Sequence, residues 1–271
     1  MLGLEVSIAG WREISLVDVI GSVSFTVWFS YCNFRCPWCS NFKLASGIES
    51  KKVKIAEIME ALKKASSFID YFHITGGEPT LQPRPLLELI KEAKLTGLAT
   101  SLDTNGSNPE VLDKLIPLLD RIAIDVKAPL SDVKKYSLVT GLSISGIYRV
   151  VSNVKRSISL AFKVPLLELR TTVVPGMIHL TDLLRIAKDL NEIISKSKGE
   201  VIYVIQQFIP YEGVRDPRFR GSTRTPPELL KEYAKEVAKV LPIRVLTRSI
   251  EEGVKVIGGP ARIRTGDHHL S

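Results

Sequence analysis

Three cysteines, Cys32, Cys36 and Cys39, lie within eight consecutive residues, and the chain contains no others. An odd and tightly clustered set does not form a disulfide framework in a chain of this length. The CxxxCxxC spacing instead places three thiolates on one loop, where each can bind one iron of a cubane [4Fe–4S] cluster. The fourth iron would lack a protein ligand, and an open metal position is where a substrate or cofactor can coordinate.

Two other interpretations of the cysteines remain open from the residues alone. One is a zinc site completed by a distant histidine, for which the candidates are His73, His179, His268 and His269. The other is a set of three buried thiols without a ligand.

Further polar clusters follow predicted strands along the chain. They are Gly76-Gly77-Glu78, Asp103-Thr104-Asn105-Gly106, Asp125-Val126-Lys127 and Arg170-Thr171-Thr172. A parallel barrel gathers its site at the carboxyl ends of its strands. Such a barrel would bring these scattered groups to the cysteines.

The elements that would position these groups alternate between strand and helix about six times. Apolar and β-branched runs predict strands at 24–29, 71–75, 98–102, 121–126, 167–174, 201–209 and 243–246. Helical spacing predicts helices near 55–62, 86–93, 109–116, 145–160, 183–194 and 225–240, with Thr181 and Thr225 as caps. The alternation predicts an α/β fold with a parallel sheet, either open or curled into a barrel.

Composition indicates a globular protein, with 271 residues, 45% hydrophobic and 24% charged. No apolar run approaches the roughly 20 residues of a membrane helix, and the N-terminus lacks a signal-peptide pattern, so we expect a cytoplasmic protein. The net charge of +8 is dispersed, and nucleic acid is not an expected partner. No Walker lysine loop or GxGxxG follows a strand, so the sequence does not support nucleoside-triphosphate hydrolysis or dinucleotide binding.

The motifs together resemble a known family. Residues 28–41 resemble the signature loop of the radical S-adenosylmethionine (SAM) superfamily, and segments 75–82, 102–106, 125–127 and 170–176 occur in the order seen in its glycyl-radical enzyme activases. Segments 10–11, 15–18 and 206–208 further resemble the activating proteins of anaerobic ribonucleoside-triphosphate reductase. The resemblance implies a single domain built as a partial (β/α)6-type TIM barrel. We expect an N-terminal extension at 1–19, the radical SAM core at 20–250 and a C-terminal tail at 251–271.

The resemblance also implies a site. Cys32, Cys36 and Cys39 would ligate a [4Fe–4S] cluster, whose open iron is chelated by the amine and carboxylate of SAM. The implied cofactor-binding residues are Trp38, Gly76, Gly77, Glu78, Asp103, Asn105, Asp125, Lys127 and Arg170. Structural alternatives remain open for most of them: a plain turn for Gly76, Gly77 and Asn105, an exposed loop acid for Glu78, caps for Asp103 and Asp125, and ordinary ion pairs for Lys127 and Arg170. The family often carries a histidine after the late strand, where this chain has Gln206 and Gln207, and the sequence does not determine which of them completes the site.

The implied activity is reductive cleavage of SAM to a 5′-deoxyadenosyl radical. The radical would abstract hydrogen from a glycine of a partner such as anaerobic ribonucleoside-triphosphate reductase. An external one-electron donor such as ferredoxin or flavodoxin is expected, because no flavin motif is present. Two alternatives remain: a radical SAM enzyme acting on a small molecule or nucleoside, similar to 7-carboxy-7-deazaguanine synthase, and a non-catalytic iron–sulfur or zinc protein. The cluster Arg215, Arg218, Arg220 and Arg224 is either a solvated face or a docking surface for an acidic partner.

Overall fold

One ten-stranded sheet organises the computed structural model, which describes residues 3–194 and 199–259. The sheet order is β10-β9-β8-β7-β6-β5-β4-β2-β1-β3. The strands are β1 Glu5–Ser15, β2 Ser24–Phe29, β3 Lys51–Lys54, β4 Tyr71–Gly76, β5 Ala99–Thr104, β6 Arg121–Asp125, β7 Leu166–Val173, β8 Glu200–Gln207, β9 Arg244–Ser249 and β10 Gly253–Gly258.

Helices fill the connections between these strands. They are α1 Phe42–Ala45, α2 Ile55–Ala65, α3 Pro83–Lys94, α4 Pro109–Leu115, α5 Val133–Thr140, α6 Ile144–Ala161, α7 Leu180–Ile194, α8 Pro217–Arg220 and α9 Pro227–Ala238. Short 3₁₀ turns lie at Ser66–Phe68, Pro79–Leu81 and Ile116–Leu118.

The connectivity confirms the predicted α/β fold with a partial barrel. Strands β2 and β4 to β9 are parallel neighbours, joined by six helical crossovers. Antiparallel strands extend the sheet beyond the parallel region, β1 and β3 at one side and β10 at the other. Within the described ranges, β3 and β10 are not paired with each other, so the barrel is open along one side.

The two faces of the sheet have different chemistry because side chains alternate along each strand. On β6, Ile122 and Ile124 join the hydrophobic core shared with the helices, whereas Arg121 and Asp125 occupy the alternate positions. At β6 the inner face of the barrel is therefore charged, whereas at β8 and β9 it carries a small apolar cluster of Ile202, Val204 and Leu246. The helices cover the apolar outer face.

Both predicted helix caps are wrong. Helix α7 already begins at Leu180, and the Asp182 carboxylate accepts from the His179 backbone N–H, so Thr181 lies inside the helix. Helix α9 begins at Pro227, and the Thr225 hydroxyl donates instead to the Val173 carbonyl at 2.6 Å. The Thr225 side chain therefore makes a tertiary hydrogen bond instead of the cap that the local pattern predicted.

The ends of the chain carry strands that the sequence did not predict. Within the expected extension at 1–19, β1 pairs with β2 and β3, and within the expected tail at 251–271, β10 pairs with β9. Residues 260–271, including His268 and His269, lie outside the described residues. The division into extension, core and tail remains a prediction. None of the described helices is long and apolar enough to cross a membrane.

Candidate functional site

The cysteine loop leaves the carboxyl end of β2 and is held by backbone hydrogen bonds. The Cys32 N–H donates to the Ala45 carbonyl at 2.9 Å, and the Arg35 N–H donates to the Thr140 carbonyl at 2.8 Å. Gly141, with a φ of +66°, permits this second contact, because a Cβ there would lie 2.2 Å from the Arg35 oxygen. The loop is thus clamped between α1 and the end of α5.

One cavity of about 250 Å³ brings the cysteines together with most of the predicted site. Its lining includes Cys32, Cys36, Cys39, Trp38, Gly76, Gly77, Asp103, Asn105, Asp125, Lys127, Arg170, Thr172 and Gln206. These residues come from the carboxyl ends of six parallel strands or the loops that follow them. Of the predicted site residues, Glu78 does not line the cavity.

Cys36 is buried and Cys32 and Cys39 are partly buried, and this burial disfavours the charged thiolate form. It raises the pKa of Cys32 and of Cys36 to about 12 and also raises that of Cys39, while the nearby Lys127 charge acts in the opposite direction on all three. Buried thiolates need a cationic partner, and iron supplies one. Among the described residues, no three His, Cys, Asp or Glu side chains are arranged to hold a single metal ion. A cubane cluster does not need that arrangement, because each thiolate binds a different iron, so the donor set fits it.

Gly76 and Gly77 lie directly against the start of the cysteine loop. The Gly77 N–H donates to the Phe29 carbonyl, and the Glu78 N–H donates to the Tyr31 carbonyl, both at 2.8 Å. A Cβ on Gly76 would lie 2.3 Å from the Phe29 oxygen, and one on Gly77 would lie 2.0 Å from the Tyr31 oxygen. Glycine is therefore required at both positions for the backbone to approach Phe29 and Tyr31, and both residues also line the cavity.

Glu78 is fully buried and links the loops after β4 and β5. Its Oε1 accepts from the Thr80 hydroxyl at 2.5 Å and the Thr104 hydroxyl at 2.8 Å, and its Oε2 accepts from the Asn105 N–H at 2.7 Å. Burial raises the pKa of Glu78, and these hydrogen bonds oppose the rise. The carboxylate of Glu78 therefore binds groups of the two loops, and a direct contact between Glu78 and a cofactor stays a prediction.

Asn105 connects the β5 loop to the cysteine loop. Its side-chain amide donates to Asn33 Oδ1 at 2.9 Å and lies 3.9 Å from Cys32 Sγ. The left-handed residue of this turn is the neighbouring Gly106, with a φ of +72°. Asn105 is therefore a contact of the cysteine loop.

A chain of alternating charges occupies the floor of the cavity. Arg170 donates to Asp103 at 2.8 Å and to Asp125 at 3.0 Å, and Lys127 donates to Asp125 at 2.7 Å. Lys127 also lies 5.1 Å from the centre of the Trp38 ring, which a hydrogen bond from the indole N–H to the Val139 carbonyl holds in place. Ion pairing and cofactor binding are the alternatives that the sequence leaves open for Lys127 and Arg170. The structure shows that the ion pairs form and that the paired residues also line the cavity.

These pairings outweigh the effect of burial on the carboxylates. Burial alone would raise the pKa of Asp103, but the charges of Arg170 and Arg121, with His73 beside them, hold it well below its usual value. Lys127 and Arg170 likewise keep the pKa of Asp125 below its usual value against burial. Burial would lower the pKa of Lys127, yet Asp125 and Cys36 raise it. All four groups are charged at neutral pH.

A second layer below this floor was not predicted as part of the site. Arg121 pairs with Glu168 at 2.6 Å and with Asp103 at 3.2 Å, and both side chains of the first pair are fully buried. His73 Nε2 lies 3.6 Å from Asp103. Strand alternation could have identified this layer, because residues an even number apart on a strand share one face of the sheet. Arg121 and Asp125 are four residues apart on β6, and Glu168 and Arg170 are two apart on β7.

The two glutamines of β8 have separate environments. Gln206 lines the cavity with the cysteines. Gln207 donates to the Thr225 carbonyl and to Glu251, both at 2.8 Å, and accepts from the Ile250 N–H at 3.0 Å. Gln206 is therefore the one placed to contact a ligand of the cysteine cavity.

The arrangement suits a ligand that carries both a carboxylate and an amine. Arg170 and Lys127 offer cationic donors to a carboxylate, and Asp103 and Asp125 offer acceptors to an ammonium group. Because the four charges already compensate one another, a zwitterion can exchange partners with them without leaving a buried charge unpaired.

Comparison with known proteins gives one family. The model of the Radical SAM superfamily matches residues 26–190. A protein of Methanocaldococcus jannaschii named "Putative glycyl-radical enzyme activating enzyme" is 30% identical over 91% of this chain and 98% of its own length. The 7-carboxy-7-deazaguanine synthase of Thermococcus kodakarensis is 31% identical over 41% of this chain and 51% of its own length.

A solved structure supports the fold. TYW1 with a lysine-pyruvate adduct bound superposes with a TM-score of 0.61 at 18% identity, covering 88% of this chain and 80% of that one. The similarity covers most of both chains and shows that they share a fold.

Replacing Gly77 by Ala tests the contact between the glycines and the cysteine loop. The added Cβ would meet the Tyr31 carbonyl at 2.0 Å, so the loop must shift. We expect at least a several-fold loss of iron and sulfide bound after anaerobic reconstitution. Gly146→Ala in α6 is the control, since nothing lies within 4 Å of its Cβ and alanine favours the helix. Equal iron content in the two variants would contradict the contact's role.

Replacing Asp103 by Asn tests the charge network through its pH dependence. At neutral pH we expect a loss of roughly 3–5 kcal/mol in the free energy of unfolding, because Arg170 loses a buried partner. The depressed pKa of Asp103 means that its stabilisation is complete above the unfolded-state value of about 3.9 and is lost as pH falls through the folded-state value. The difference between wild type and variant should therefore shrink below about pH 4.

Urea unfolding followed by circular dichroism across pH measures this difference. The exposed Asp113→Asn variant is the control, expected within about 0.5 kcal/mol of wild type. A difference between wild type and Asp103→Asn that stays constant down to acid pH would show that the carboxylate charge does not carry the effect.

Proposed function

Because the chain belongs to the radical SAM superfamily, we propose that it activates a glycyl-radical enzyme with the aid of a [4Fe–4S] cluster and SAM. The observation that carries this proposal is the cavity in which three thiols face the Asp103, Asp125, Lys127 and Arg170 network. The relative from Methanocaldococcus jannaschii, similar along nearly its whole length, supports the activating function.

Cys32, Cys36 and Cys39 would hold the cluster, leaving one iron without a protein ligand. When bound, the cluster and SAM together supply one-electron cleavage of SAM to methionine and a 5′-deoxyadenosyl radical. The protein shields part of this position from solvent, since Cys36 and Trp38 are only 7% and 9% exposed. Exclusion of water protects a reactive intermediate from side reactions.

The charged floor would orient SAM. Arg170 and Lys127 would bind its carboxylate, and Asp103 or Asp125 would accept from its amine. Arg170 is the most constrained of these groups, because it contacts carboxylates on both sides and is almost fully buried. Trp38 and Gln206 would contact the remaining parts of SAM from opposite sides of the barrel mouth.

A second cavity of about 700 Å³ adjoins the first and is the proposed target site. The two share Trp38, Ser40, Thr172 and Gln206. The larger cavity lies along the open side of the barrel, and its rim exposes Leu16, Val17 and Ile250 at 73%, 63% and 58%. An apolar rim around an open cavity favours a protein partner, and the partner we propose is a glycyl-radical enzyme such as anaerobic ribonucleoside-triphosphate reductase.

A second candidate function keeps the chemistry and changes the target. A small molecule or nucleoside is supported by the similarity to 7-carboxy-7-deazaguanine synthase over residues that make up 41% of this chain. The larger cavity has the volume of a small-molecule site, and Arg248 on its wall would suit an anionic group. Either function requires an external one-electron donor, for which ferredoxin or flavodoxin is the proposed class.

Anaerobic turnover tests the proposal. The reconstituted protein, reduced with dithionite and given SAM, should form 5′-deoxyadenosine, and Cys36→Ala should reduce the product at least 100-fold. With anaerobic ribonucleoside-triphosphate reductase present, electron paramagnetic resonance should show a glycyl radical in the partner. Product formation without a glycyl radical would favour the small-molecule target. A fully loaded cluster that gives no product with or without the partner would contradict the radical chemistry.

A further inference from the structure

The segment after β8 packs against the cysteine loop from outside the cavity. The Arg215 N–H donates to the Cys39 carbonyl at 3.3 Å, and the Asp216 N–H donates to the Pro37 carbonyl at 2.9 Å. Val214 is fully buried beside them, and its carbonyl accepts from Arg220 Nε at 2.8 Å. Arg215 is thus fixed at its backbone next to a proposed cluster ligand.

The side chain of Arg215 is fixed as well. Its guanidinium lies 4.5 Å from the centre of the Phe42 ring, at the start of the helix that follows the cysteine loop. Its Nε is buried and has no hydrogen-bond partner among the described residues. A buried donor without an acceptor is unusual in a folded protein, and a sulfur atom of the proposed cluster would supply an acceptor for it.

Arg215 lies against the cysteine loop, where its backbone N–H contacts the Cys39 carbonyl. Arg218, the next arginine along the chain, differs: its side chain is 82% exposed and pairs with Asp216 at 2.6 Å. The arginine cluster therefore contains one residue whose backbone is held against the cysteine loop, and others at the surface.

We propose that Arg215 is a positioning residue that stabilises the reduced state of the cluster through its charge and its Nε–H. This inference rests on the cluster of the proposed function. Reduction adds one electron from the external donor to the cluster and breaks no bond, so the reduced state carries one additional negative charge. A fixed cation stabilises that state more than the oxidised one, and the reduction potential depends on net charge and on hydrogen bonds to sulfur.

Anaerobic spectroelectrochemical titration of the reconstituted protein, without SAM or partner, tests the inference. Arg215→Gln should lower the midpoint potential, so that the ratio of reduced to oxidised cluster at the wild-type midpoint falls about tenfold, which is about 59 mV for one electron. Arg215→Met provides a second neutral side chain that still packs on Phe42, and Arg215→Lys should lie between wild type and these variants. Arg218→Gln is the matched control and should titrate as wild type.

Unchanged midpoints in both neutral variants with full iron content would overturn the role of Arg215. Loss of iron from both neutral variants, with retention in Arg215→Lys, would support the same requirement for charge at this position. Failure of the proposed function is separate, because it would appear as a wild-type protein that binds no cluster or cleaves no SAM.

Discussion

The close approach of Gly76 and Gly77 to the backbone of the cysteine loop determines the geometry of the site. Two hydrogen bonds, to the Phe29 and Tyr31 carbonyls, join the end of β4 to the start of that loop, and a side chain on either glycine would meet the backbone. The position of the thiols therefore follows from the sheet itself. A loop held only by its own turns would not define where three irons bind.

The second constraint is charge compensation on the inner face of the barrel. Asp103, Arg170, Asp125 and Lys127 alternate in sign across three parallel strands, and Arg121 with Glu168 continues the pattern below them. A buried charge without a partner is strongly destabilising, so each group depends on its neighbours. The network holds its polar groups in place before any ligand arrives, which is the property a site for a zwitterion needs.

Much of this could be predicted from the sequence, because strand ends and motif order are local signals. The strands β2 and β4 to β9, the cysteine loop and the charged residues Asp103, Asp125, Lys127 and Arg170 follow from apolar runs, spacing and motif order, whereas Arg121 and Glu168 were not predicted. The role of Glu78 could not, since only the fold brings Thr104 and Asn105 to its carboxylate. The assignment of Gln206 to the cavity and the place of Arg215 likewise depend on contacts distant in sequence. The strands β1, β3 and β10 were missed because they are added at the margins of the parallel sheet, where alternation is weak.

The central claim is that SAM binds the open iron of a cluster held by these three cysteines. Electron paramagnetic resonance of the dithionite-reduced cluster, recorded with and without SAM, tests it most directly. The account predicts a [4Fe–4S] signal whose shape changes on addition of SAM and an Arg170→Gln variant that needs more SAM for the change. A spectrum that is the same at saturating SAM would contradict the claim.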